Sequence, residues 1–206
     1  MPTESFSAGL WVFAQSEDKF GGYVDLSVHE QILAAASVPG LKGLELIAPV
    51  HVSLENMKEV KTWLSDAGLQ TVAVNPYLWT EPQWARGALT SPDPQVRQQA
   101  VDTAKRAIEI GRFLGCDRMC LWPGEDGWDY LFQVDYRQLW DNTAECLREI
   151  AEFDRDYQIG IEYKMSEPRM YQLVSSAAKA ALLGSGPMSR VAANSAPLRA
   201  LKRRTS

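Results

Sequence analysis

The 206-residue chain predicts an α/β fold, read as an incomplete (β/α)8 TIM barrel carrying about five of the eight β/α units, on three observations. Short apolar runs alternate with helical patterns. Polar side chains suited to chemistry stand at the C-terminal ends of several of those runs. No glycine-rich turn follows the first run: Gly21 and Gly22 lie well beyond it, which argues against a dinucleotide-binding doubly wound sheet.

The expected strands are residues 9–14 (GLWVFA), 41–48 (LKGLELIA), 71–76 (TVAVNP), 118–124 (RMCLWPG) and 158–165 (QIGIEYKM). Each is short, apolar or β-branched, and stopped by Gly, Pro or polar residues. A helix is expected over about 27–38, and a second over about 54–67 with Gly68 just past its end. The third has the strongest signals: Asp93 as N-cap, Pro94 as first helical residue, apolar positions Val96, Ala100, Ala104, Ala107, Ile108 and Leu114 at helical spacing, and Gly115 as terminator. A fourth helix runs from about Tyr136 to Tyr157, and a fifth from near Pro168 to about Leu183. The order βαβαβαβαβα implies parallel strands joined by right-handed crossovers. Residues 1–184 are read as the barrel unit. Residues 185–206 are a basic tail without convincing periodicity, expected to be disordered or non-native, so that the sheet ends in a free edge after its fifth strand.

Composition narrows the function. Hydrophobic residues make up 46%, enough for a buried core, and a net charge of −5 argues against broad binding to nucleic acid or an anionic membrane. No apolar run reaches the roughly 18 residues of a membrane span, and MPTESFSAGLWVF lacks a signal peptide's basic start and apolar stretch. Three cysteines, Cys116, Cys120 and Cys146, suit a reducing cytoplasm better than a disulfide scaffold. His51, Asn75, Trp122 and Glu162 stand at strand C-termini, where barrel enzymes place their sites. Period-two alternation puts Glu162 and Lys164 on one side of their strand. The acidic cluster Glu125, Asp126 and Asp129 reads as a solvated loop.

Two stretches carry a resemblance. GIEYKMSEPR is similar to an Ile-Glu-Pro-Lys-Pro-x-Glu-Pro-Arg run, and CLWPGEDG to a Leu-Trp-Gly-Gly-Arg-Glu-Gly run, of the xylose isomerase-like TIM barrel superfamily of sugar isomerases and epimerases. GLQTVAVNPYLWTEPQWARGALTSPDPQVRQQAV and AIEIGRFLGCDRM follow that family's third and fourth units in order, so the resemblance spans roughly Phe6 to Leu183. It implies a sugar substrate and metal-assisted aldose–ketose isomerisation or epimerisation. Glu162 would be a ligand of a divalent Mg, Mn or Co ion, Lys164 would polarise the carbonyl oxygen, Trp122 would wall the substrate, and His51 would open the sugar ring. A homo-oligomer is implied as well. The chain departs from the family in two places: Val52 stands where the family has Asp after His, and Tyr163 replaces Pro. Nothing after Leu183 supplies the remaining acidic and His ligands, so the chain reads as a truncated or frameshifted form with impaired activity. The alternatives are a non-catalytic fragment pairing through its exposed barrel edge and, last, an endonuclease-IV-like zinc enzyme, which two histidines serve poorly.

Overall fold

The computed structural model describes residues 5–18, 22–184 and 191–194. Six parallel strands run β1 (Phe6–Gly9), β2 (Leu41–Ala48), β3 (Gln70–Pro76), β4 (Arg118–Leu121), β5 (Gln158–Glu162) and β6 (Val191–Asn194). The pairings β1–β2, β2–β3, β4–β5 and β5–β6 are all parallel, and β3 lies beside β4. Spatial order therefore equals chain order, with none of the reversal that defines a doubly wound sheet. Five helices fill the crossovers: α1 (Val28–Ala36), α2 (Met57–Asp66), α3 (Pro94–Leu114), α4 (Tyr136–Phe153) and α5 (Ala177–Gly184). This is part of a (β/α)8 barrel. No helix among the described residues is long and apolar enough to cross a membrane.

Local sequence sets the helix ends. Ser27 caps α1 in a reciprocal box, its hydroxyl accepting from Glu30 N–H while Glu30 accepts from Ser27 N–H. Asp93 accepts from Gln95 N–H at 2.8 Å, and Gly115 ends α3 at φ 82°. Ala100, Ala104, Ala107 and Ile108 form the buried face of α3, which packs on β2, β3, β4 and α4. Gly111 on the same helix lies against the Tyr157 hydroxyl, where a Cβ would collide, and that hydroxyl donates to Arg118 O at 2.8 Å. The sheet's contribution to the core includes Leu44, Leu46, Val74 and Leu121, all wholly buried. Each stabilises the fold by about 1.5–3 kcal/mol.

Four expectations are corrected. The first strand is Phe6–Gly9, not 9–14, and Leu10–Phe13 forms a 3-10 turn: the Trp11 ring folds onto Gly9, turning the chain out of the sheet into a hairpin of Gln15–Asp18 with Gly22–Asp25. The fifth helix begins at Ala177, because the segment around Pro168 is held as a loop whose Tyr171–Gln172 pairs antiparallel with Gly127–Trp128. The sheet does not end at the fifth strand, since β6 pairs with β5 from Val191↔Ile159 to Asn194↔Glu162. Four residues in a stretch rich in Ser, Pro and basic residues are too few to show a period. The rest of the basic tail, 185–190 and 195–206, lies outside the described residues.

The fourth correction concerns the acidic cluster. Asp126 is wholly buried and accepts from Ala88 N–H (2.8 Å), Leu89 N–H (3.2 Å), Thr90 N–H (2.8 Å) and the Thr90 hydroxyl (2.5 Å). Burial pushes its pKa up, opposed by those four donors. Arg169 reaches Glu125 (3.4 Å), Asp129 (3.0 Å) and the Ala85 carbonyl. The loops after β3, β4 and β5 are thus tied together on the face where those strands end. Asp126→Asn turns one acceptor oxygen into a donor facing main-chain N–H groups, and is expected to lose about 2–4 kcal/mol. Chemical denaturation measures this; a loss under about 1 kcal/mol would mean that packing alone holds the loops.

Candidate active site

The C-terminal ends of β2 to β5 surround a cleft of about 690 Å³ whose lining includes His51, Asn75, Trp79, Trp122, Glu162 and Lys164. All four residues assigned roles by resemblance, His51, Trp122, Glu162 and Lys164, are brought together here. A smaller cavity of about 320 Å³, between the loops after β2 and β3, holds none of the four.

His51 is folded back on the end of β2, with its own N–H on Ile47 O at 2.7 Å and its Nδ1 accepting Ile47 N–H at 3.0 Å. A main-chain N–H can only donate, so Nδ1 is the acceptor and the neutral ring carries its proton on Nε2. The side chain is 3% exposed, and burial pushes its pKa down to about 4. At neutral pH His51 is therefore a hydrogen-bond donor to the cleft, not a cation.

At the end of β5, Glu162 is exposed and accepts from the Cys120 thiol at 3.5 Å. Lys164 Nζ lies 5.0 Å above the Trp122 ring and 2.7 Å from Glu167. Glu162 and Lys164 share the cleft lining as expected, although β5 ends at Glu162 rather than at 165, so strand alternation is not what places Lys164. Trp122 continues into Trp79 (5.0 Å between ring centroids), and Trp79 into Tyr77 (4.6 Å), making an aromatic wall. Trp79 and Tyr77 were missed because each reads in sequence as an ordinary loop aromatic.

Glu45 was missed too, although an acid inside the apolar run LKGLELIA was a visible signal. Its carboxylate accepts from Asn75 Nδ2 at 3.1 Å, and burial, then the charge of Glu162, push its pKa up against that hydrogen bond. Among the described residues, no three His, Cys, Asp or Glu side chains converge as a metal centre. Glu162 in the cleft and Glu45 bound to Asn75 are far short of the roughly six oxygens a Mg²⁺ or Mn²⁺ ion takes. These donors by themselves do not fit the divalent ion that the resemblance implies.

A curved parallel sheet with polar side chains gathered at its strand C-termini is the plan of a barrel enzyme. The chain belongs to the xylose isomerase-like TIM barrel family, whose model matches residues 32–180. It is 29% identical over 182 residues to a xylose isomerase of Thermus thermophilus, covering 82% of this chain and 47% of that one. The chain thus spans about half the length of the curated relatives it matches. Among solved structures, an AP endonuclease of family 2 from Brucella melitensis superposes with TM-score 0.64 at 18% identity, covering 92% of this chain and 67% of that one. A 3-keto-D-glucoside 4-epimerase from E. coli does so with TM-score 0.62 at 14% identity, covering 92% and 66%. At those identities the likeness is one of fold.

The buried neutral His51 carries a pH signature. Its pKa is lower folded, about 4, than unfolded, 6.5, so below 6.5 the unfolded chain binds the extra proton. The stability His51 contributes is full above pH 6.5 and is lost as pH falls toward 4, by up to about 3 kcal/mol. Urea unfolding from pH 4 to 7.5 should show wild type losing more stability than His51→Gln across that window. A difference between the two that does not change with pH would contradict it.

Proposed function

We propose that this chain carries a sugar-binding site of the isomerase/epimerase type. One observation carries the reading: His51, Trp122, Glu162 and Lys164, separated by more than a hundred residues of sequence, line one cleft at the strand C-termini. Trp122 and Trp79 offer apolar faces to the C–H side of a sugar, and the His51 Nε2–H suits a ring oxygen. Lys164 holds the carbonyl-side oxygen and stabilises negative charge that develops there. Among the described residues, Glu162 is the one carboxylate in the cleft lining. In an enediolate route it would take the proton from the carbon beside the carbonyl: the C–H electrons become the C=C bond, and the carbonyl electrons move onto the oxygen facing Lys164.

Metal assistance is the finer part of the proposal. Because the described donors do not fit an ion, its other ligands would have to come from outside the described residues, and no step here runs through it. The isolated 206-residue chain is accordingly proposed to be a poor catalyst. Small neutral substrates, a cytoplasmic setting and no nucleic-acid partner accord with its net charge of −5 and free cysteines.

The alternative, a module that pairs with another chain, is favoured by a different observation. Among the described residues, β1 and β6 each have a neighbour on one side only, and Phe6 and Val12, 57% and 63% exposed, lie on and just after β1. Unpaired strand edges template association. Sedimentation of the purified chain should therefore show dimers or larger species, and a monomer across the micromolar range would remove this support.

Turnover is tested with a panel of aldoses and ketoses, with and without Mg²⁺, Mn²⁺ or Co²⁺. The 206-residue chain should show little or no isomerisation or epimerisation. Robust metal-dependent turnover would overturn the incomplete-site proposal. The sugar-site proposal would then stand only if Glu162→Gln and Lys164→Ala each lowered kcat by about 100-fold or more.

A further inference from the structure

We infer that Asn75 is a ligand-binding residue of this cleft, donating a hydrogen bond to one oxygen of a polyhydroxylated ligand, and that Glu45 positions it. This rests on the sugar reading of the cleft and adds a contact that the resemblance did not supply. Asn75 is the penultimate residue of β3, is 6% exposed and lines the cleft. Two neighbouring strands fix its amide. Oδ1 accepts the main-chain N–H of Cys120 on β4 at 2.7 Å, which settles which side of the amide is oxygen. Nδ2 on the other side donates to Glu45 Oε2 on β2 at 3.1 Å.

An amide nitrogen carries two hydrogens, and Glu45 takes one. No described side chain or carbonyl accepts the second. A nearly buried donor without an acceptor is unfavourable, and in a cleft the natural acceptor is a ligand oxygen. The surroundings specify that ligand. Strand order puts Asn75 between the His51 donor on the β2 side and Trp122 and Glu162 on the β4–β5 side. Hydrogen-bond donors, an acceptor carboxylate and two indole faces lining the same cleft as a fixed amide match a molecule with several hydroxyls and an apolar C–H face. Glu45 is not part of the cleft lining. It acts through Asn75, stopping the amide from swinging away.

The test uses the whole chain and binding alone, so it does not depend on turnover. D-xylose and a series of its monodeoxy analogues are titrated by ligand-observed NMR. One deoxy sugar, lacking the oxygen that meets Asn75, should bind wild type about three- to tenfold more weakly than D-xylose. Asn75→Leu should bind D-xylose as weakly as that analogue and no longer distinguish the two. Glu45→Gln keeps an acceptor for Nδ2 and should keep the discrimination; Glu45→Leu should reduce it, which separates positioning from mere structural support. If Asn75→Leu does not fold, Asn75→Thr takes its place, with a polar atom near Cys120 N–H but too short to reach the ligand. Wild-type discrimination that survives at Asn75 variants overturns the assignment and leaves the sugar reading standing. Failure of wild type to bind any of the sugars overturns both.

Discussion

The two halves of the sheet meet where the backbone does not join them. β1 to β3 and β4 to β6 are each knit by parallel main-chain ladders, but β3 and β4 lie side by side without one. What crosses that seam is the Asn75 side chain, holding Cys120 N–H on one side and Glu45 on the other. A buried main-chain N–H without a partner is expensive, so an amide at this position is structurally demanded before any ligand is considered. Because the same residue lines the cleft, the joint also sets how far the His51 side stands from the Trp122, Glu162 and Lys164 side. Fold and site share one hydrogen-bonded residue.

The loops above the seam are fixed by similar means. Asp126 gathers three consecutive N–H groups of the loop after β3, and its own carbonyl accepts Leu173 N–H from the loop after β5 at 3.0 Å. Gln172, 3% exposed, donates to Gly124 O at 2.9 Å and Glu167 O at 2.8 Å. Gly87, at φ 94°, is packed so closely on Thr90 and Asp126 that no side chain fits. Loop conformations that would otherwise be many are reduced to one that keeps Trp79, Trp122 and Lys164 around the same space.

The parts of this fold that local chemistry determines were legible in the sequence. Asp93, Pro94 and Gly115 mark α3 to the residue, because a cap, a pre-set φ and a left-handed terminator each act within one turn. LKGLELIA reads as β2 because an eight-residue apolar run has few other uses. What failed depends on partners distant in sequence. Asp126 looks solvated until the loop 38 residues upstream covers it. The segment around Pro168 looks like a helix start until Glu125 and Asp129 claim Arg169. The site followed the same rule. Glu162 and Lys164 were visible through their spacing, whereas Glu45 gains its meaning only when Asn75 is found beside it.

One contact in the cleft competes with a ligand, since Lys164 is already paired with Glu167. The competition is weak. The two side chains are 39% and 72% exposed, and an ion pair so wet is worth about 0–1 kcal/mol. The lysine also sits over the Trp122 ring, an interaction of about 0.5–1 kcal/mol at an exposed site, which holds it above the cleft whether or not Glu167 stays. In the proposed site, a sugar oxygen arriving at Nζ would displace a contact of little value and leave the ring contact in place. Desolvation by such a ligand would then strengthen the lysine's interaction with any oxygen that becomes negative, since the same charges attract more strongly where water is excluded. The cation is therefore held loosely enough to be redirected and firmly enough to stay in the cleft, which is what the proposed role of stabilising a transient oxyanion would require.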